Sequence, residues 1–113
     1  MNKLLTISAI QQAIQSHTLS LLLIKAPNCG VCTVVENQLK SLLNENQEIY
    51  AVQANIGDTP ELASYFHALT APMVILFFES KEVERFARFI PYQQLKTALA
   101  KWTDFVAEAH ISH

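Results

Sequence analysis

Hydrophobic positions along the chain follow two spacings, one typical of strands and one typical of helices. Nearly unbroken apolar runs at 19–25 and 73–78 indicate buried strands. From residue 29 to about 46, apolar side chains recur every three or four positions, which predicts an amphipathic helix. The predicted elements, in chain order, are strand 4–7, helix 8–16, strand 19–25, helix 29–46, strand 48–54, a helix starting at 58, strand 73–78, strand 81–89 and a helix starting at 91.

Two of these helices begin with residues that are typical of helix starts. The segment 58–61 combines a capping side chain, a proline in the first turn and an acidic residue, and Pro91 opens the last helix. The third helix is expected to carry the apolar residues Leu62, Ala63, Phe66 and Leu69. The stripe expected on the last helix consists of Leu95, Ala98, Leu99, Trp102, Phe105 and Val106.

The order of the elements predicts the fold class. Strands and helices alternate until the last two strands, whose short connection Glu79-Ser80 implies an antiparallel hairpin. We expect an α/β protein with a central mixed β-sheet flanked by helices on both faces. Because no linker, repeat or low-complexity segment interrupts the pattern, residues 1–113 are expected to form a single domain.

The composition narrows the class of protein. The chain of 113 residues is 50% hydrophobic and 16% charged, as is typical of a folded domain. Its net charge of −2 and its lack of a basic cluster argue against a nucleic-acid partner. No apolar run approaches the roughly 20 residues that span a bilayer, and residues 1–12 lack the pattern of a signal peptide. We therefore expect a cytoplasmic protein without a membrane partner.

The two cysteines carry the clearest chemistry. Cys29 and Cys32 enclose Gly-Val at the point where a predicted buried strand gives way to a helix. Free backbone N–H groups and the helix dipole at such a start stabilise a thiolate at Cys29. Cys32, one turn further on, is positioned to attack a mixed disulfide and release the partner. Gly30 is expected to allow a tight turn that leaves Cys29 approachable.

We expect neither a metal nor a cofactor. One Cys-x-x-C motif supplies two of the four ligands of a structural zinc site, and the histidines lack a matching spacing. A metal or cluster bridged between two chains is the alternative. The histidines, all expected at the surface, are His17, His67, His110 and His113.

The chain resembles the thioredoxin family in its element order and motifs. The Cys-x-x-C follows the second strand, Asn55-Ile56 follows the third, and Thr70-Ala71-Pro72 stands where the family has its cis-proline segment. The resemblance, which covers roughly residues 4–106, implies the thioredoxin fold and a cis bond between Ala71 and Pro72 beside the cysteines. The backbone of Ala71 would then pair with an extended substrate. Alternatively, Pro72 merely starts an edge of the strand.

The resemblance also implies the roles of individual residues. The catalytic residues it implies are Cys29 and Cys32, and the substrate-binding residues are Asn28, Gly30, Val31, Ala71 and Pro72.

Several positions depart from the family pattern. Thioredoxins have Trp before the first cysteine and Pro between the pair, where this chain has Asn28 and Val31. The buried Asp and the Lys that assist the resolving thiol in the family align with Leu23 and Gln53. The family's glycine after the last strand has no counterpart at 88–90. We therefore expect a different choice of substrate.

Two charged residues are candidates for the missing roles. Glu36, one helical turn after Cys32, is a candidate proton acceptor, with water as the alternative. Lys25, four residues before Cys29, is a candidate source of positive charge near the thiolate. For both, the alternative is an ordinary solvent-facing side chain.

The favoured hypothesis is a thiol–disulfide oxidoreductase that reduces protein disulfides and receives electrons from a separate reductase. The alternative is a thioredoxin-like binding module, or a redox sensor in which the cysteines regulate partner binding. The aromatic residues of the hairpin fit a core, or in part an exposed partner or dimer surface. Those aromatic residues are Phe78, Phe86 and Phe89.

Overall fold

The computed structural model describes residues 1–111, with side chains described for residues 1–109. Its elements, in chain order, are β1 (Asn2–Lys3), α1 (Ile7–Gln15), β2 (Leu19–Lys25), α2 (Gly30–Asn44), β3 (Tyr50–Asn55), α3 (Leu62–Tyr65), β4 (Met73–Phe78), β5 (Lys81–Ala87) and α4 (Tyr92–Ile111). The order of strands and helices is the predicted one. The bounds of β2 and β4 also match the prediction.

The five strands form one mixed sheet in the order β1-β3-β2-β4-β5. The β1–β3 and β2–β3 pairs are parallel, whereas β2–β4 and β4–β5 are antiparallel. β2 and β4 are therefore central strands with a neighbour on each side. Their position explains why they are apolar at nearly every residue instead of alternating.

Helices cover both faces of the sheet, as predicted. Because successive strand residues point to opposite faces, Leu21 and Leu23 of β2 pack with α2 and α4, whereas Leu22 and Ile24 pack with α1 and α3. Within α2 the buried side chains are Cys32, Val35, Leu39 and Leu42. This stripe fixes α2 against the sheet, with its first turn at the carboxyl end of β2.

The predicted start of the third helix is wrong. We expected the helix to start at Asp58, but α3 comprises only four residues and begins at Leu62. The carboxylate of Asp58 instead pairs with the Lys3 ammonium at 2.7 Å, and the Thr59 hydroxyl donates to the carbonyl of Leu5 at 2.8 Å. These contacts tie the segment to the start of the chain, and Leu69, which was expected on this helix, is exposed.

The two ends of the sheet also differ from the prediction. The first strand lies at Asn2–Lys3 instead of 4–7, because Thr6 already caps α1 by accepting a hydrogen bond from the backbone of Ala9. The last strand ends at Ala87, two residues early, because Arg88 adopts a left-handed conformation with φ 63°. Among the described residues, no helix is long and apolar enough to cross a membrane.

Candidate functional site

The cysteine pair lies at the junction of β2 and α2. Cys29 is the N-cap of α2, and its Sγ accepts a hydrogen bond from the backbone N–H of Cys32 at 3.1 Å. Cys29 and Cys32 form a disulfide, with their Cα atoms 5.3 Å apart. The described structure is therefore the oxidised form. A free N–H at a helix start directed at Sγ is the arrangement that stabilises a thiolate after reduction.

The two sulfurs differ in their access to solvent. Cys29 is partly exposed, whereas Cys32 is 1% exposed and belongs to the buried stripe of α2. A macromolecular disulfide can therefore approach Cys29 but not Cys32. This difference supports Cys29 as the attacking residue and Cys32 as the resolving one.

The tight turn before the helix is formed by Asn28, not by Gly30. Asn28 has φ 57°, a left-handed conformation that asparagine tolerates better than most residues. Gly30 is the first residue of α2, its φ is not positive, and an added Cβ would meet no atom within 4 Å. The expectation that Gly30 provides the turn is therefore wrong. Its open surroundings do leave Cys29 approachable, as expected.

The glycine that the junction does require is Gly57, in the loop after β3. A Cβ on Gly57 would lie 2.5 Å from Cγ of Pro27, in the segment that leads to the cysteines. Two hydrogen bonds hold this loop in place: the Gly57 N–H donates to Oδ1 of Asn55 at 2.8 Å, and the Ile56 N–H donates to the carbonyl of Lys25 at 2.9 Å. The loop therefore packs against the segment that leads from β2 to the cysteines and holds it in position.

The proline segment lies beside the cysteine motif. The peptide bond between Ala71 and Pro72 is cis, and Ala71 and Pro72 line one cavity of about 150 Å³ together with Val31. Of the predicted substrate-binding residues, the structure thus brings these three together. Asn28 and Gly30 are exposed near the cysteines but do not line this cavity.

Lys25 and Glu36 pair with each other. The Lys25 ammonium lies 2.6 Å from Glu36 Oε1 and 3.3 Å from Gln53 Oε1. The amide of Gln53 donates to Glu36 Oε2 at 3.3 Å, and Lys40 lies 3.2 Å from the same oxygen. Both members of the central pair are part-buried. The alternative that both side chains simply face solvent is therefore wrong.

This pairing changes the interpretation of Glu36. The hydrogen bond from Lys25 lowers the pKa of Glu36 below its ordinary value of 4.5, partial burial opposes this effect, and Lys40 adds to it. A carboxylate with a lowered pKa is a weaker base than an ordinary one. The structure therefore gives no support to Glu36 as the proton acceptor for Cys32. Leu23, buried between Gln53 on β3 and Val74 on β4, adds no polar group there.

No metal site accompanies the cysteines in the part of the chain that the structure describes, since no group of three or more His, Cys, Asp or Glu residues there could hold an ion. His17 and His67 are exposed, as expected. The side chains of His110 and His113 lie outside the described residues.

Arg88 and Phe89 were not among the predicted substrate-binding residues, although Phe89 was named in the alternative of an exposed partner or dimer surface. Both line the cavity shared by Val31 and the proline segment, and Phe89 is 91% exposed. The sequence offered one signal, an apolar residue directly after a strand end interrupted by arginines. The other two hairpin aromatics, Phe78 and Phe86, are partly buried against the core.

Comparisons with known proteins agree with this geometry. The family model described as Thioredoxin matches residues 2–101. The chain belongs to the thioredoxin family. It is 33% identical over 101 residues to the thioredoxin-like protein YdfQ of Bacillus subtilis, covering 89% of this chain and 90% of that one. It is 29% identical to a thioredoxin of Alicyclobacillus acidocaldarius over 85% of this chain and 92% of that one.

Solved structures of thioredoxins share the fold. Oxidised mitochondrial thioredoxin 3 of Saccharomyces cerevisiae superimposes with a TM-score of 0.80 at 16% identity, covering 89% of this chain and 94% of that one. The predicted α/β thioredoxin fold is therefore confirmed. The Cys29–Cys32 motif fits the Cys-x-x-C of the family, which supports an oxidoreductase role in general.

The Glu36 pairing predicts a pH-dependent contribution to stability. Because folding lowers the pKa of Glu36, its contribution is present above the ordinary value of 4.5 and is lost as the pH falls through the lower folded value. Glu36→Gln should reduce the free energy of unfolding by about 1–2 kcal/mol at pH 7, and by less at pH 3. Urea denaturation at the two pH values measures this. Glu48→Gln, at an exposed position, is the control, and an equal loss for Glu36→Gln at both pH values would contradict the pairing.

The two glycines predict opposite responses to a methyl group. Gly57→Ala should destabilise the protein by about 1–3 kcal/mol, because the new Cβ displaces Pro27. Gly30→Ala should change stability by between zero and a gain of about 1 kcal/mol, because alanine suits a helix better than glycine. Thermal or urea unfolding of both variants measures the difference. If Gly57→Ala were neutral, the proposed support of the cysteine segment by this loop would be wrong.

Proposed function

We propose that this protein is a thiol–disulfide oxidoreductase that reduces disulfide bonds in other proteins. One observation carries the proposal: Cys29 is partly exposed and its Sγ accepts a hydrogen bond from the Cys32 N–H at the start of α2, while Cys32 itself is buried. The first cysteine is thus both stabilised as a thiolate and accessible. The second cysteine is shielded from other disulfides and attacks only the mixed disulfide that forms at Cys29.

The first step is attack on the substrate. The Cys29 thiolate of the reduced protein attacks one sulfur of the substrate disulfide, so that a bond forms to Cys29 while the substrate S–S bond breaks. The departing substrate sulfur leaves as a thiolate and takes a proton from water. In the proposed complex, an extended substrate segment lies along Val31 and the backbone of Ala71 and Pro72, which line one cavity. Asn28 and Gly30 border this segment from the cysteine side.

The second step releases the substrate. Cys32 loses its proton to water or to the departing thiolate, attacks Sγ of Cys29 and displaces the second substrate sulfur. Two electrons have then passed to the substrate, and the protein is left with the Cys29–Cys32 disulfide that the structure contains. The Cα separation of 5.3 Å lies in the ordinary range for disulfides, about 4.4–6.8 Å.

A new cycle requires that the pair be reduced again. We propose a separate reductase as the two-electron donor, because the chain has no other cysteine to supply electrons. A pair that must return to the dithiol form suits a reducing compartment, and we therefore propose the cytoplasm as its location.

Capture of the mixed disulfide tests this proposal. Cys32→Ser retains the attacking sulfur but cannot resolve the intermediate, so it should accumulate disulfide-linked complexes with a protein substrate such as insulin. Cys29→Ser is the matched control and should capture far less, because its remaining thiol is buried. Non-reducing electrophoresis followed by mass mapping of the linked cysteine measures the result.

The wild-type protein should also accelerate the reduction of insulin by dithiothreitol, and either cysteine variant should return the rate to background. If Cys32→Ser captured nothing and the wild type gave no acceleration, the oxidoreductase proposal would fail. The binding-module alternative predicts instead that a Cys29→Ala, Cys32→Ala double variant retains its protein partners.

A further inference from the structure

The turn after β5 is fixed against the cavity beside the cysteines. The Arg88 N–H donates to the carbonyl of Pro72 at 3.0 Å, which joins the end of β5 to the proline segment. The next residue but one, Ile90, is buried in the core on the α2 side of the sheet. Arg88 and Phe89 are therefore held between two anchored points next to Val31.

This conformation is unfavourable at Arg88 and leaves Phe89 outside the core. A left-handed φ of 63° at a residue other than glycine is unfavourable, because Cβ approaches the following carbonyl oxygen. Phe89, at 91% exposed, also lacks the stabilisation that burial of an aromatic side chain provides. A residue in a strained conformation, followed by an exposed aromatic ring beside a reactive group, is the kind of outlier from which a role in binding is inferred.

Arg88 is the one charged residue that lines this cavity, whose other walls are Val31, Ala71, Pro72 and Phe89. Its guanidinium has no ion pair among residues 1–109. The neighbouring Arg85, by contrast, donates two hydrogen bonds to Glu82, at 2.7 and 2.9 Å. An arginine that lines an apolar cavity and has no ion pair among the described side chains complements a carboxylate next to an apolar side chain.

We propose that Arg88 and Phe89 select substrates in which an acidic residue and an apolar residue flank the attacked cysteine. The carboxylate lies against the Arg88 guanidinium, and the apolar side chain packs between Phe89 and Val31. The inference rests on the proposed function, because Val31 belongs to the cysteine motif and a segment in this cavity is the one that carries the attacked disulfide. Charge thus contributes to the choice of substrate, in addition to the backbone pairing at Ala71.

Matched peptide disulfides test the charge preference. Three peptides identical except for Asp, Asn or Lys beside the cysteine are reduced by the wild-type protein with dithiothreitol as the two-electron donor, and kcat/KM is measured for each above the rate without protein. The Asp peptide should exceed the Lys peptide by about three- to tenfold, as expected for an exposed ion pair and its repulsive counterpart. The ratio should approach one at high salt, because exposed charges are screened.

Variants at Arg88 assign the preference to this residue. Arg88→Glu should reverse the order of the Asp and Lys peptides. Arg88→Gly, which suits a left-handed φ and removes the charge, should bring the ratio to about one and keeps the test valid if the glutamate variant unfolds. Lys81→Glu is the matched control: it makes the same charge change at the opposite end of β5, roughly 20 Å away along the strand, and should leave the ratio unchanged.

Each outcome has a distinct meaning. The inference is overturned if the wild type gives equal kcat/KM for the three peptides, or if the Asp-to-Lys ratio is unchanged in both Arg88 variants. In either case, reduction of the Asn peptide still supports the proposed function. Absence of turnover with all three peptides overturns the proposed function and the inference with it.

A second pair of peptides, with Leu or Ala as the apolar neighbour of the cysteine, tests the role of Phe89. The wild-type protein should reduce the Leu peptide with the higher kcat/KM, and Phe89→Ala should lose this preference. An unchanged preference in Phe89→Ala would contradict the role of Phe89.

Discussion

The hydrogen bond from the backbone of Cys32 to Sγ of Cys29 is the interaction on which the rest of the site depends. It exists because α2 begins at Gly30, two residues after the left-handed Asn28, and the first N–H groups of a helix have no carbonyl partners within the helix. The buried stripe that begins at Cys32 holds the helix start in this position. Burial of one sulfur and exposure of the other follow from the same packing, and they give the two cysteines different roles.

The surroundings of the pair are built from residues that depart from the thioredoxin pattern. Leu23 is apolar, and the charge pair near Cys32 is formed by Lys25 and Glu36 on the end of β2 and on α2, with Gln53 bridging from β3. The hydrogen bond from Lys25 lowers the pKa of Glu36, so this carboxylate accepts a proton less readily than an ordinary glutamate does. In the proposed mechanism Cys32 therefore loses its proton to water or to the departing thiolate, because no buried acid stands at the position of Leu23.

The fold could be predicted where the pattern of apolar residues had one reading. β2 and β4 are buried on both faces, and their bounds were correct. The predicted start of the third helix was wrong because Asp58 pairs with Lys3 and Thr59 binds the carbonyl of Leu5. The local sequence pattern contains no sign of these long-range contacts. The cysteines and Pro72 could likewise be found from motif and order. The Lys25–Glu36 pairing and the exposure of Phe89 could not, because both depend on how distant segments pack.

In the proposed mechanism the thiol of Cys29 reacts with the substrate disulfide, while the thiol of Cys32 stays buried until a mixed disulfide forms. Alkylation of the fully reduced native protein with less than one equivalent of iodoacetamide, followed by peptide mass mapping, tests it most directly, with the unfolded protein as the reference for equal labelling. The account predicts that Cys29 carries at least about ten times as much label as Cys32 in the native protein. Equal labelling of the two, or preferential labelling of Cys32, would contradict it.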